Sequence, residues 1–403
     1  MILGGILLAA IPAFAALSLA DAQQRVATNS VDVQTALATV RQRDAALHVA
    51  QITGVPHLVG DYSVSPQANA ANTGTVEQHF VSVGVGVSIN DLFANSPAVR
   101  GAAGELLAAQ RNADAAMLAA RQNAAKLYFA ALQAIAIERA RGDAVRGAQL
   151  DRNAADLRAR SGESPQLDVI RADVTLLQAR ADLVRAQADR ADAIDTLASA
   201  SRVSPAQLAT MTASPAPPPK FPDEDRAVER ALALRPEVAA LLATIDARNA
   251  GVAAARRTAL PTATIQGGYQ HGVDTGIPVN GPQVAAHLDL PLSSPSGAQA
   301  ASAQALVDAA RAQLTEERRT LTLDVTSAIR DARADDAAAA AAERGSAEAL
   351  RALNAVEIGY REGASSSLDV AEARRTYDQA AVDALVAEYR RALAYAILEV
   401  IVP

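Results

Sequence analysis

Two short turns, about 200 positions apart, constrain this chain more than any other feature. The earlier one reads Arg160-Ser161-Gly162-Glu163-Ser164-Pro165-Gln166-Leu167-Asp168-Val169. The later one reads Gly359-Tyr360-Arg361-Glu362-Gly363-Ala364-Ser365-Ser366-Ser367-Leu368-Asp369-Val370. In each, a long alanine-rich helical stretch reaches a glycine, a serine-containing turn follows, and a new helix starts with Leu-Asp-Val. A helix C-terminus favours a left-handed residue just past its end, so Gly162 and Gly363 mark helix ends. Ser164 reads as an N-cap, with Pro165 as the first helical residue. Each stretch is therefore expected to be the tip of a helical hairpin.

The repetition extends well beyond the tips. Residues 32–56 align without gaps on 237–261, pairing Leu37-Ala38-Thr39-Val40 with Leu242-Ala243-Thr244-Ile245 and Pro56 with Pro261. Each half reads helix, strand pair, long helix, tip, helix, which is an internal duplication. The first repeat, 23–200, is expected to hold strands at 57–65 and 79–91, a long helix at 99–160, a tip at 161–165 and a helix at 166–200. A proline-rich connector fills 201–226. The second repeat, 227–403, holds strands at 262–271 and 282–292, a long helix at 297–361, a tip at 362–366 and a helix at 366–400.

The second strand alternates along its length. Val81, Val83, Val85, Val87 and Ile89 fall on one face, and Ser82, Gly84, Gly86, Ser88 and Asn90 on the other. A membrane β-barrel needs that pattern, with lipid outside and water inside. One half-buried strand of a soluble sheet shows it too. His287 and Asp289 share a strand face opposite Leu288 and Leu290, as a solvated barrel interior requires. On the helices, Ala113, Met117, Ala120, Ala124, Leu127, Ala131 and Ala134 step by four and three, a coiled-coil seam with small knobs. Leu167, Ile170, Val174, Leu177, Ala181, Val184, Ala188 and Ala191 form a second such row.

Element lengths suggest an arrangement. Each long helix has about 62–65 residues, or roughly 93–98 Å at the α-helical rise. Each can be flanked by two shorter helices stacked end to end, giving a rod roughly 100 Å long with tips at one end and strands at the other. Four strands cannot close a barrel in lipid, because open edges do not survive there. Three chains would supply about twelve strands, within the range of known barrels.

Composition narrows the function classes. The chain has 403 residues, no Cys and a net charge of -7 with mixed signs. Disulfides, thiolate metal sites and a nucleic-acid footprint are thereby excluded. The five His show no metal-protease spacing, and neither a Gly-x-Ser-x-Gly elbow nor a phosphate-binding loop occurs. Neither enzymatic activity nor a cofactor is expected. Residues 1–22 resemble a secretion signal, with an apolar run over 2–19 and Ala20-Asp21-Ala22 as the cleavage site, although no Lys or Arg precedes the run. A membrane anchor is the alternative for that segment. A periplasmic coiled-coil tether or scaffold would explain the alanine rows, but not strand pairs placed identically in both halves.

Taken together, the chain resembles the TolC-type outer-membrane efflux channels. The likeness rests on Leu234-Arg235-Pro236-Glu237, Leu260-Pro261 before a strand, Leu290-Pro291-Leu292 at a strand exit, and Tyr360-x-x-Gly363 followed by Leu368-Asp369-Val370-x-Glu372-Ala373. The resemblance implies a fold that is mostly α with a small β part: a homotrimer with a 12-stranded outer-membrane barrel and a periplasmic helical tunnel. It implies a passage for solutes handed over by a periplasmic adaptor and an inner-membrane pump, with outer-membrane lipid around the barrel and no nucleic acid. Asp369 and Glu372 would form acidic rings at the entrance, and Asp168 and Tyr360 would link the tips. Tip positions Gly162, Ser164, Gly363 and Ser365 would dock the adaptor. Some members of the family carry an Arg latch at the position of Ser365. An Asp in a helix's first turn also complements the helix dipole without any gating role, so both readings of Asp168 and Asp369 stand at this point.

Overall fold

The computed structural model describes residues 17–52, 55–68, 75–88, 96–209, 211, 223–274, 277–291 and 295–402. The first half contains α1 (Leu19–Asn29), α2 (Val31–Ile52), β1 (His57–Ala68), β2 (Thr75–Ser88), α3 (Pro97–Arg160) and α4 (Gln166–Ser201). A short α5 (Pro205–Leu208) follows. The second half repeats the order with α6 (Glu224–Leu234), α7 (Pro236–Arg257), β3 (Thr262–Asp274), β4 (Ile277–Asp289), α8 (Ser296–Arg361) and α9 (Ser367–Ile401). The fold is mostly α with a small β part. Helices α3 and α8 are unbroken over 64 and 66 residues.

The helix expected to lead into each strand pair is interrupted in both halves, at positions that the duplication superimposes. Ser30 separates α1 from α2 with φ -62 and ψ 130, and Arg235 separates α6 from α7 with φ -68 and ψ 129. Pro236 takes the first helical position of α7, where its missing N–H costs nothing. The Arg235 guanidinium donates to both carboxylate oxygens of Glu237, at 2.8 and 3.1 Å. Leu234-Arg235-Pro236-Glu237 is thus a helix break held by a two-pronged ion pair.

The chain divides into two compact units. One comprises residues 1–34, 116–234 and 320–403. Its largest core joins α1, α3, α4, α5 and α9 through Ala22, Tyr128, Phe129, Leu132, Ile135, Ile194, Leu197, Leu208, Met211 and Tyr389. Tyr128 and Phe129 meet edge to face at 5.5 Å, and the Tyr128 hydroxyl donates to the Leu17 carbonyl. Burial pushes the Tyr128 phenol above its ordinary pKa, with Tyr389 adding to the effect. Most of the expected signal lies outside the described residues, but its end forms the first turn of α1. Ser18 caps that turn, and Ala22 is fully buried.

The two apolar helix rows have different fates. In the α3 row, Ala113, Ala120, Ala124 and Ala131 are buried. In the α4 row, Leu167, Ile170, Val174, Leu177 and Val184 are 49–65% exposed. Helix α4 turns Val169, Leu176, Ala186, Ile194 and Leu197 inward instead. It therefore carries two apolar faces, and among the described residues only one is covered.

The other unit comprises residues 35–115 and 235–319. Its four strands form one antiparallel sheet in the order β1-β2-β3-β4. One face carries Leu58, Tyr62, Val64, Val81, Val83, Val85, Ile265, Tyr269, Val284 and Leu288, all exposed. The register places Ser82, Gly84, Gly86, His57, Asp61, Gln266, His287 and Asp289 on the opposite face. There Asp61 accepts a hydrogen bond from the Gln266 amide at 3.1 Å. Gly84 and Gly268 face each other on this side so closely that a Cβ on Gly268 would lie 2.5 Å from the Val83 carbonyl oxygen. The strand boundaries differ from expectation: β2 starts at Thr75 and β4 at Ile277. The expected strand residues 89–91 and 292 lie outside the described residues. Strand β4 contains Pro278 and Pro282, and β1 contains Pro66, whereas the central strands contain none. Proline cannot donate to a ladder, so it is tolerated on the edges.

Candidate functional site

Both tips are built by the same backbone device. At the first, Glu163 N–H donates to the Arg158 carbonyl at 2.9 Å and Gly162 N–H to the Ala159 carbonyl at 3.2 Å. At the second, Ala364 N–H donates to the Gly359 carbonyl at 2.7 Å and Gly363 N–H to the Tyr360 carbonyl at 3.3 Å. These are paired Schellman bonds, which satisfy the last carbonyls of the helix and need a left-handed residue at the pivot. Gly162 and Gly363 both have φ +78.

The following helices start differently. Pro165, not Ser164, is the N-cap of α4, and no side chain caps it. The Ser164 hydroxyl is buried and has no hydrogen-bond partner. The proline ring fixes the extended entry that a capping side chain would otherwise enforce. Helix α9 instead starts on a complete capping box. The Ser366 hydroxyl accepts from Asp369 N–H at 3.2 Å, and the Asp369 carboxylate accepts from Ser366 N–H at 2.7 Å. The backbone N–H and hydroxyl of Ser366 hold the Asp369 carboxyl below the usual carboxylate pKa. Glu372, one turn on, is exposed.

Three contacts tie the hairpin α3–α4 to the hairpin α8–α9. The Ser367 hydroxyl donates to Asp168, which also lies 3.7 Å from Arg171. The Arg158 guanidinium stacks 4.2 Å above the Tyr360 ring. Arg374, on α9, donates to Asp151 on α3 at 2.9 and 3.2 Å and to Glu357 on α8 at 2.5 Å. A cavity of about 300 Å³ lies among these groups, lined by Asp151, Arg158, Asp168, Glu357, Tyr360 and Ser367. The Tyr360 hydroxyl and Arg158 Nη1 are buried there without hydrogen-bond partners.

The structure thus brings Asp168 and Tyr360 to one cavity but gives them different partners within the chain. Asp369 is engaged as a cap, while Glu372 and Gly363 are open to solvent. The Ser365 hydroxyl folds back over its own turn, 2.5 Å from where a Cβ on Gly359 would stand, and links nothing across hairpins. The sequence reading missed Arg158, Asp151, Glu357 and Arg374. Overlaying the two tips residue by residue would have exposed Arg374, which stands where the first hairpin has Asp173. Among the described residues no acidic or histidine cluster is arranged to hold a metal ion. One described helix, Pro236–Arg257, is long and apolar enough to cross a membrane. Much of its apolar content is alanine, and Ala240, Ala243, Ala247 and Ala250 are buried.

Family comparison decides the class. The family model for outer membrane efflux proteins matches residues 22–201 and 227–402, which is both repeats without the connector. The chain belongs to the outer membrane efflux protein family. As a member of it, the protein is an outer-membrane channel and not an enzyme. Solved structures agree on the fold. A membrane protein from Pseudomonas aeruginosa superimposes with a TM-score of 0.80 at 19% identity, over 96% of this chain and 93% of the other. The MtrE outer membrane channel of Neisseria gonorrhoeae, in its open state, gives 0.78 at 21% identity, over 96% and 89%. The outer membrane protein VceC of Vibrio cholerae gives 0.79 at 17% identity, over 95% of each chain. No curated protein shows significant sequence similarity to this efflux protein.

Proposed function

We propose that this efflux protein works as a homotrimer. Three four-stranded sheets close a 12-stranded barrel in the outer membrane, and the helical hairpins form a periplasmic duct. The duct receives solutes from an inner-membrane pump through a periplasmic adaptor. The observation that carries this reading is the sheet. It has one exposed apolar face, one small and polar face, and two edge strands, β1 and β4, with no further strand beside them among the described residues. In lipid such edges must be paired, and further copies of the same sheet pair them without new chemistry. The unused apolar row of α4 supports the same conclusion, since it gives neighbouring copies a helical seam. The tips form the entrance. Asp369 and Glu372 supply negative charge there, and the surfaces around Gly162, Ser164, Gly363 and Ser365 receive the adaptor. The periplasmic tether reading leaves the apolar sheet face unexplained.

Planar-bilayer recording of the purified outer-membrane protein tests the proposal. Heat-resistant trimers with cation-preferring conductance are expected, and Asp369→Ala with Glu372→Ala should weaken that preference. Selectivity unchanged in the double variant would remove the entrance assignment, and a monomer without conductance would remove the channel. The signal belongs to the same reading. N-terminal sequencing is expected to begin at Gln23, and a start at or before Ser18 would keep the first turn of α1 in the mature protein.

A further inference from the structure

We propose that Arg256 and Arg257 seat anionic phospholipids of the leaflet nearest the helices, a role that rests on the sheet being in the membrane. The two arginines lie in the last turn of α7, and both are exposed. Neither guanidinium has an ion-pair or hydrogen-bond partner among the described residues. The chain then tightens into a turn, with Leu260 N–H bonded to the Arg257 carbonyl at 2.9 Å, and enters β3 at Thr262. The Leu260 side chain is 54% exposed in that turn. Beside it, Leu288 pairs with Ala263 at the foot of the apolar sheet face and is exposed as well. A phospholipid matches this order of groups. Guanidinium offers a phosphate two parallel N–H bonds, and the apolar surface next to it receives the acyl chains. Free phosphate would make no use of Leu260 and Leu288.

The charge at the two ends of the strands agrees with this assignment. Residues 45–57, 89–104, 247–262 and 289–307 join the helices to the sheet. They hold Arg100, Arg248, Arg256 and Arg257 against two carboxylates. Of these, Asp289 lies on the polar face of the sheet, and Asp91 is outside the described residues. The far ends of the strands, 64–79 and 271–281, hold Glu77 and Asp274 and neither Lys nor Arg. The basic excess is thus confined to the helix side. Arginines in a last turn also complement the helix dipole. The duplication shows that the fold does not need them for that. The same turn ends α2, with Val55 N–H on the Ile52 carbonyl at 2.9 Å, and there Gln51 and Ile52 stand in place of the arginines. The pair in the second repeat is left free for a ligand.

Native mass spectrometry of the purified trimer, loaded with phosphatidylglycerol, phosphatidylcholine or inorganic phosphate, tests the seat. The unaltered trimer should retain phosphatidylglycerol about tenfold more tightly than phosphatidylcholine, since each arginine near an anionic lipid surface is worth about a factor of five. Arg256→Gln with Arg257→Gln should abolish that preference while heat resistance and conductance stay unchanged. Arg256→Lys with Arg257→Lys should fall between the two. Gln51→Arg with Ile52→Arg installs the pair on the matching turn of the first repeat and should about double the phosphatidylglycerol retained. That variant carries the test if the arginine-free trimer does not assemble. A preference unchanged in the Gln variant, or no added lipid on the first-repeat variant, would overturn the seat and leave the channel standing. Displacement of phosphatidylglycerol by an equal concentration of inorganic phosphate would overturn the lipid assignment. A trimer that neither inserts nor conducts in bilayers of either lipid would overturn the membrane reading on which the seat depends.

Discussion

At the first tip the returning helix starts on Pro165 with no side chain capping it, whereas at the second Ser366 and Asp369 close a reciprocal box. The turns before them are the same, down to the pivot angle of +78 at each glycine. The reversal of the chain is therefore set by backbone geometry and is common to both copies. The restart is set by side chains and has diverged. One solution restricts a dihedral covalently, and the other relies on an ionised carboxylate.

The largest expected effect concerns what the tips share. Gly162→Val and Gly363→Val should each destabilise their turn by about 1–2 kcal/mol, because a branched residue is forced into the left-handed region. Hydrogen exchange at 158–164 and 359–365 should accelerate by similar factors, and a large inequality would show that the turns are not equivalent. A smaller effect separates the tips. Ser366→Ala should cost about 1 kcal/mol in protection of the first turn of α9. Ser164→Ala should stay within about 0.5 kcal/mol, since that hydroxyl bonds nothing. The smallest effect is the acid response. The carboxyl of Asp369 is held below its ordinary pKa, so the box is fully formed above the unfolded carboxylate range and is lost as pH falls through the lowered value. Exchange at 366–370 should rise with acid, through loss of a side-chain cap that the Pro165 start does not have.

Much of this molecule was legible in its residues, for identifiable reasons. Glycine at a helix end, alanine rows and strand alternation are local signals, and they placed both tips and both long helices within two or three residues. Strand ends were less legible, because Pro278 and Pro282 read as loop until β4 is known to be an edge. The breaks at Ser30 and Arg235 were hidden by helical periodicity that continues across them. The α4 row was recognised as a seam, but a row of apolar residues does not say whether its partner belongs to the same chain. Arg374 was missed because its meaning lies in Asp151, more than two hundred positions away.

The two sheet edges have a consequence for how the protein is made. A newly exported chain carries an oily sheet face and two rows of edge backbone groups, on β1 and β4, with nothing among its described residues to cover them. Such a chain is an aggregation hazard in water. Sister chains and the bilayer must therefore meet it together, or a protective escort must shield it until they do. Pairing of these edges with sister chains is then concentration-dependent, as any assembly step is.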